Sequence, residues 1–277
     1  MSVEHVLVCY GEQLGYHHGA KYQILRAIIG AAGQDLSFCV VTDRPELFQN
    51  YPCRLIFLDS HQKKSWSLGE QDHFGIKILG LSLAATTSLE QKVVLLDTDM
   101  YWVKPTEELF NRIDSSTILL FKNEGLVYGS KNKSIQRFEQ GLAGKSFPLN
   151  SVGGYKLSEE SEMWGSAIIG ITPGNSYLLD RAFELFVALN DHVDAHTVEQ
   201  FAISETIRLN GMKKIEGQRY VSHWSSIGRK NYVTLQLAHF FNTYGENDYL
   251  SHLDHVKEIS IKRPLAVLLS QKFERWK

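Results

Sequence analysis

The sequence predicts an α/β fold with a mainly parallel central sheet, helices on both of its faces and a small helical part at the C-terminal end. Short β-rich runs alternate with helical patterns through the first half of the chain, as βαβ units require. One apolar run, residues 93–96, ends at once on Asp97-Thr98-Asp99, which puts carboxylates where a central parallel strand meets the ligand crevice. The 277 residues, 43% of them hydrophobic, are enough to bury one large core.

Taken in order, the first strand is read at residues 6–10, with Glu4 and His5 interrupting the apolar run ahead of it. Tyr22, Leu25, Ile28 and Ile29 recur at helical spacing until Gly33, which predicts a helix crossing the sheet. Strands follow at 37–42 and 54–58, with a short helix after Pro45 between them. A second crossing helix spans about 71–87, since Phe74, Ile78, Leu81 and Ala85 share a face. Strands at 93–96 and 117–121 complete this half. Gly125, Gly129, Gly141, Gly144, Gly153 and Gly154 then punctuate a polar stretch, read as loops with one helix near 135–142. Regularity returns with a buried strand at 166–172 and helices at 177–189 and 198–209. A short strand near 219–222 and helices near 232–244 and 249–257 close the pattern. No linker or repeat divides the chain, so the reading is one main domain over 1–228 and a helical extension over 229–277 packed on it.

The charge balance, 29 Lys plus Arg against 31 Asp plus Glu, provides no field that would gather nucleic acid, so any anionic ligand must be met by a local site. Three cysteines, with Cys9 and Cys39 inside strand-like runs, argue against a disulfide framework and for a reducing, cytoplasmic setting. No basic stretch followed by an apolar one opens the chain, and no run reaches transmembrane length. From Val256 onward Lys257, Lys262, Arg263, Lys272, Arg275 and Lys277 outnumber Glu258 and Glu274, with Trp276 and the apolar residues 265–269 among them. This segment reads as a basic helix docked on the domain, with peripheral contact to an anionic membrane surface as the alternative. His192 and His196 stand four apart, but Asp194-Ala195 replaces the Glu of a zinc-hydrolase motif and the local pattern is a loop; His252 and His255 lack acidic or cysteine partners at ligand spacing; His17 and His18 adjoin Gly19 in a predicted loop that follows the first strand, where they could meet a bound ligand.

Two carboxylates at a strand end repel each other and lose water, a cost of several kcal/mol for each in the absence of compensation. A divalent cation removes both penalties, and hard oxygen ligands in this number suit Mn²⁺ or Mg²⁺ completed by water and phosphate oxygens. Asp97 and Asp99 therefore point to a metal and to a phosphorylated ligand together. The bland alternative is a solvated turn in which one Asp caps the helix beginning near Pro105.

The segment Val93-Val-Leu-Leu-Asp-Thr-Asp-Met-Tyr-Trp-Val-Lys-Pro105 resembles the DxD segment of GT-A type nucleotide-sugar glycosyltransferases, in particular the group that includes glycogenin and bacterial lipopolysaccharide galactosyltransferases. The resemblance implies the GT-A (nucleotide-diphospho-sugar transferase) fold, a nucleotide-sugar donor, most often UDP with a hexose, and a glycan, glycolipid or protein acceptor. By the same resemblance Tyr10, Gly11 and Asp43 face the nucleotide base and ribose, and Lys77 reaches the phosphates or donor sugar from the preceding helix. Ser166, in Gly165-Ser166 where relatives carry Asn-Ser-Gly, lines the sugar pocket, and Glu199-Gln200 replaces an Asp-Gln pair near the reacting carbon. Val221-Ser-His223-Trp-Ser-Ser-Ile-Gly228-Arg229-Lys230 is similar to the His-x-x-Gly-x-x-Lys-Pro-Trp loop, without Pro-Trp and with its Gly and Lys displaced. It implies His223 as third metal ligand, with Gly228, Arg229 and Lys230 over the diphosphate. Asp97, Thr98 and Asp99 complete the donor site. The reaction implied is retaining, with Gln200 or a neighbour opposite the leaving diphosphate; an inverting enzyme would use a carboxylate base, for which Glu162 is placed.

Two enzymatic alternatives share parts of this pattern. A phosphatase of the haloacid dehalogenase type also sets Asp-x-Asp after an apolar strand, but it needs Thr or Val where Tyr101 stands and a later acidic pair. A sugar nucleotidyltransferase needs a Gly-rich, Arg-containing loop after the first strand, and Cys9-Tyr-Gly-Glu-Gln-Leu-Gly-Tyr16 does not supply it. A nucleotide- or carbohydrate-binding module without turnover is the non-enzymatic alternative.

Overall fold

A computed structural model describes residues 2–30, 36–151 and 153–264 of the chain. The elements in chain order are β1 (Val3–Val8), α1 (Leu14–Gly30), β2 (Ser37–Thr42), a 3-10 turn (Pro45–Leu47), β3 (Arg54–Phe57), α2 (Ser60–Trp66), α3 (Phe74–Thr86), β4 (Lys92–Leu96), β5 (Met100–Trp102) and α4 (Glu107–Asn111). They continue with β6 (Thr117–Leu126), α5 (Lys133–Leu142), β7 (Glu162–Ile171), α6 (Tyr177–Asn190), α7 (Val198–Leu209), β8 (Lys213–Glu216), β9 (Val221–His223), α8 (Ile227–Tyr244) and α9 (Tyr249–His255).

A seven-stranded sheet runs in the order β3-β2-β1-β4-β7-β6-β8. Strands β3, β2, β1 and β4 are mutually parallel, β6 and β8 are parallel to each other, and β7 runs against both of its neighbours. From β1 the chain moves outward to β2 and β3 on one side, then returns to β4 on the other. The crevice at the carboxyl ends of β1 and β4 is therefore a topological switch point, the place where open α/β sheets receive ligands.

Every residue of β4 is buried, as a continuous apolar strand requires when both faces of the sheet are covered. Alternation sorts the side chains between two layers. Val6, Val41, Val93 and Leu95 pack with Ile78 and Leu81 of α3, Phe186 of α6 and Phe201 of α7. Leu7, Cys9 and Val40 face Tyr22 and Leu25 of α1 and Val233, Leu237 and Phe241 of α8.

Several boundaries differ from the sequence reading for identifiable reasons. β1 begins at Val3, because Glu4 is buried within it and accepts from the Arg54 guanidinium at 3.0 and 2.8 Å, so its charge is paired inside the strand. Phe74 is 42% exposed, so the inward face of α3 is Gly75, Ile78, Leu81 and Ala85. A Cβ on Gly75 would stand 2.1 Å from the Trp66 carbonyl oxygen, which explains a glycine in that helix. His17 and His18 lie inside α1 and are buried, not in a loop. β5 and β8, three and four residues long, are too short to show periodicity. Gly33 and the tail residues from 265 on lie outside the described residues, and no helix among the described residues is long and apolar enough to cross a membrane.

The division drawn at residue 228 falls inside α8, and α8 and α9 close over the same face of the sheet as α1. In the turn between them Glu246 accepts from His18 Nε2 at 2.9 Å and from the wholly buried Lys21 at 3.1 Å. The hydrogen bond from His18, with its charge and that of Lys21, outweighs partial burial and holds the Glu246 carboxyl at about 2, against an ordinary 4.5. A carboxyl depressed in the fold stabilises it above the unfolded value, and that contribution is lost as pH falls from about 4.5 toward 2. Glu246→Gln is therefore expected to be less stable at neutral pH and to show a shallower loss of stability across that acid range, as followed by chemical denaturation at stepped pH.

Between α2 and α3, Leu68, Gly69 and Glu70 take φ of 51°, 72° and 74° in succession. A left-handed conformation costs a non-glycine residue roughly 1–2 kcal/mol, and the exposed Glu70 side chain offers no packing to offset it. Glu70→Gly is expected to stabilise the protein by about 0.5–1 kcal/mol, since glycine's greater unfolded-state freedom cancels part of the relief. A thermal melt checks this, with a rise of roughly 2 °C expected.

Candidate active site

Asp97, Thr98 and Asp99 form the turn from β4 into β5. Its backbone is tied on several sides: the Asp97 N–H donates to Ala167 C=O of β7 at 2.9 Å, and the Asp97 carbonyl accepts from Met100 N–H at 3.2 Å. The Asp99 carbonyl accepts from Trp224 N–H at 3.0 Å. Neither carboxylate caps α4, whose N-cap is Thr106.

The short antiparallel pairing of β5 with β9 brings His223 opposite Met100 and so beside Asp99, with Nε2 3.3 Å from Oδ1. Lys230, in the first turn of α8, stands 3.6 Å from the other Asp99 oxygen and over the Tyr16 ring. Burial pushes the Asp99 carboxyl up, but the hydrogen bond and charge of His223 and the charges of Lys230 and Lys77 outweigh it, so the group lies below its ordinary range.

Asp97 faces the opposite wall. Lys77 of α3 approaches its oxygens at 2.8 and 3.1 Å, and the same ammonium lies 3.2 Å from Ser166 Oγ and 3.4 Å from Glu199 Oε1. Ser166 donates to Glu199 at 2.5 Å, and the second Glu199 oxygen accepts from Gln200 N–H at 2.7 Å, at the start of α7. Burial depresses Lys77, but Asp97 and Glu199 raise it further, so it remains a cation. At Asp97 the loss of water, together with the charges of Asp99 and Glu199, outweighs Lys77 and pushes the carboxyl above its ordinary range. One ammonium shared among carboxylates leaves Asp97 short of positive charge.

The accessibilities divide these groups in two. The Asp97, Asp99 and His223 side chains remain 34%, 21% and 25% exposed toward the crevice, whereas Glu199 keeps only 4%. Carboxylate–imidazole donors beside an under-compensated carboxylate suit Mn²⁺ or Mg²⁺ in chemistry. Among the described residues no three His, Cys, Asp or Glu side chains are gathered as a ligand set, and Asp97 is turned to Lys77. A cation held here would compete with Lys77 for Asp97 and with His223 and Lys230 for Asp99.

At the end of β1, Tyr10 donates its hydroxyl to the His73 carbonyl at 2.9 Å, and Gly11, at φ 83°, donates its N–H to both Asp43 oxygens at 3.1 and 3.2 Å. Lys63 of α2 lies 2.6 Å from Asp43. Asp43 thus fastens the β1–α1 loop and leaves the 3-10 turn after Pro45 without a side-chain cap.

The loop after β9 departs from its sequence reading. Gly228 is the second residue of α8, and the guanidinium of Arg229 donates to the His223 carbonyl at 3.1 Å and to Ser222 Oγ at 3.0 Å. Arg229 braces the strand that carries His223, and Lys230 is the cation that faces the carboxylates. Glu162 accepts from Lys214 at 2.7 Å and from the Trp164 indole at 2.8 Å, and these bonds overcome burial to hold it below its ordinary range, a poor setting for a base. Two contributors carried no sequence signal: Gly19 and Gln23 of α1 pack directly behind the Asp97–Asp99 turn.

No protein-family model matches the sequence, and no curated protein does. Solved structures do match. The galactosyltransferase LgtC, in complex with donor and acceptor sugar analogs, superposes over 96% of this chain and 98% of its own with a TM-score of 0.54 at 9% identity. The apo form of the glycosyltransferase GlyE of Streptococcus pneumoniae TIGR4 covers 99% of this chain and 64% of its own, at 12% identity and a TM-score of 0.45. Mouse xyloside xylosyltransferase 1 covers 78% and 84%, at 14% and 0.43. The near-complete, two-way coverage with LgtC, together with the sheet order and the carboxylate turn at the switch point, shows that this chain is built on the GT-A fold.

Proposed function

We propose that the protein is a glycosyltransferase that moves a hexose from a nucleotide diphosphate donor, UDP-linked, to a glycan, glycolipid or protein acceptor, with Mn²⁺ or Mg²⁺ as cofactor. The observation that carries this reading is the crevice itself: two partly open carboxylates at the switch point, with Lys77 on one wall and Lys230 on the other. That arrangement suits a diphosphate bridged to a cation, and the fold is one on which a galactosyltransferase has been solved with donor and acceptor sugar analogs.

Asp97, Asp99 and His223 would hold the metal, which when bound supplies Lewis-acid stabilisation of the departing diphosphate. Lys77 and Lys230 neutralise phosphate charge by ammonium contacts that replace those they make with Asp97 and Asp99. Tyr10 and Gly11 face the base and ribose from the end of β1, and Asp43 holds their loop in place. Ser166, Glu199 and Gln200 form the floor under the sugar. Retention of configuration is the outcome favoured here, because Glu162, the carboxylate otherwise placed to act as an inverting base, is occupied by Lys214. The GT-A fold removes the haloacid-dehalogenase alternative, whereas a binding module without turnover shares the fold and is separated from an enzyme only by assay.

The test is calorimetric titration of UDP, GDP, CDP and ADP with and without Mn²⁺, followed by turnover of the matching sugar nucleotides. Metal-dependent binding of one diphosphate with transfer or slow hydrolysis of its sugar supports the proposal. Binding without turnover would favour the module, and binding indifferent to Mn²⁺ would assign the phosphate charge to the lysines alone. Absence of any nucleotide binding would overturn the reading.

A further inference from the structure

The buried face of α1 holds two residues whose presence a packing role alone does not explain. Gly19 lies mid-helix with ordinary helical backbone, where glycine costs about 1 kcal/mol relative to alanine. A Cβ at that position would stand 2.2 Å from the Thr98 carbonyl oxygen and 3.3 Å from the Thr98 Cβ, so the helix backbone lies directly against the turn between the two carboxylates. One turn further on, Gln23 is 6% exposed among Tyr22, Ile24 and Leu25. A primary amide buried in such company costs roughly 1–3 kcal/mol unless it is bonded. Its Nε2 donates to the Asp97 carbonyl at 2.7 Å, the shortest of the bonds that hold this turn.

Both costs fall on the same three residues. Of the other backbone bonds to the turn, one is internal, from Met100 N–H, and two come from parts formed later in the chain, Ala167 of β7 and Trp224 just after β9, each reaching one side of it. The contact from α1 fixes the Asp97 peptide from behind, and so fixes the direction in which the Asp97 carboxylate leaves the strand.

We infer that Gln23, with Gly19 beneath it, is a positioning residue of the proposed donor site: it sets the Asp97–Asp99 turn in the orientation that lets both carboxylates share one cation. This rests on the proposed function. Gln23 touches no substrate and acts through the Asp97 carbonyl.

The test compares the wild type with Gln23→Met, which keeps the side-chain volume but cannot donate, and with Gly19→Ala. UDP binding is measured by calorimetry with and without Mn²⁺, beside circular dichroism and a thermal melt. For Gln23→Met the expected result is a native spectrum, unchanged metal-free affinity for UDP, and a loss of about tenfold or more in affinity when Mn²⁺ is present. A purely structural role would lower both affinities together, or neither. Gln23→Asn, which keeps the amide one methylene short, serves if Gln23→Met does not fold, and the same selective loss is expected of it. Equal metal-dependent binding in the wild type and the Gln23 variants would overturn this inference alone, and failure of the wild type to bind any nucleotide would overturn it together with the proposed function.

Discussion

Replacing Asp99 with alanine is expected to reduce sugar transfer by on the order of a thousandfold or more and to abolish Mn²⁺-dependent nucleotide binding, while leaving the fold intact. The asymmetry between function and stability follows from where Asp99 sits. Its carboxylate meets His223 and Lys230 at the open end of the crevice, and those partners are 25% and 43% exposed, so water takes over their solvation when the carboxylate is removed. Ion pairs this open contribute roughly 0–1 kcal/mol. A donor diphosphate, by contrast, would meet two lysines and an imidazole with no cation held between its phosphates. Steady-state kinetics and calorimetry on Asp99→Ala, beside a thermal melt, check the three parts separately. Full turnover in the variant would refute the metal assignment.

Lys77→Met is expected to be the most destabilising single change in the site. Lys77 is 12% exposed and lies against Asp97, Ser166 and Glu199, and Glu199 has almost no access to water. Without the ammonium, two carboxylates face each other across a cavity lined by a methionine side chain. Breaking a buried pair costs 3–5 kcal/mol in general; with Asp97 a third exposed, about 3 kcal/mol is expected here. That corresponds to a fall in Tm of roughly 6–12 °C for a chain of this size. Adding Glu199→Gln to Lys77→Met removes one of the stranded charges and should recover part of the loss, so the double variant melts higher than Lys77→Met alone. A double variant that melts at the sum of the two single losses would show that Lys77 and Glu199 do not act as a pair.

What the sequence revealed of this site follows the range over which each signal acts. The carboxylate turn was legible because an apolar strand and two acids adjoin, and the burial of one makes the other costly. Lys77 entered through the family resemblance alone, since a lone lysine on a helix is usually solvated and its contacts with Asp97 and Glu199 depend on the packing of α3 against distant parts of the chain. His223 was named from a motif whose spacing did not fit, and its place beside Asp99 is set by β5–β9 pairing: the register of a three-residue ribbon positions the imidazole, whatever follows it in the loop. Arg229 was misjudged because α8 begins at Ile227 and not near 232, which turns the guanidinium back onto Ser222 and His223. Gln23 and Gly19 were invisible, since Gly19 was read in a loop and a lone amide among apolar residues looks like a weak core choice until a distant turn is packed against it. The membrane reading of the basic tail falls largely on residues after 264, outside those described.

The ties between α1 and the C-terminal elements also bear on the order in which the molecule can be made. Trp224 closes onto Asp99, and His18 joins Glu246 across a separation of 228 residues. During synthesis the carboxylate turn is complete in covalent terms long before β9, α8 and Glu246 exist to hold it. Until then Asp99 lacks its imidazole, and the apolar face of α1 that α8 will cover, with Tyr22 and Leu25, is bare. Contacts of such span are paid for in loop-closure entropy before they return anything. The proposed donor site is accordingly expected to form only after β9, α8 and Glu246 have been made, and the interval before that is when this apolar face has most need of a chaperone.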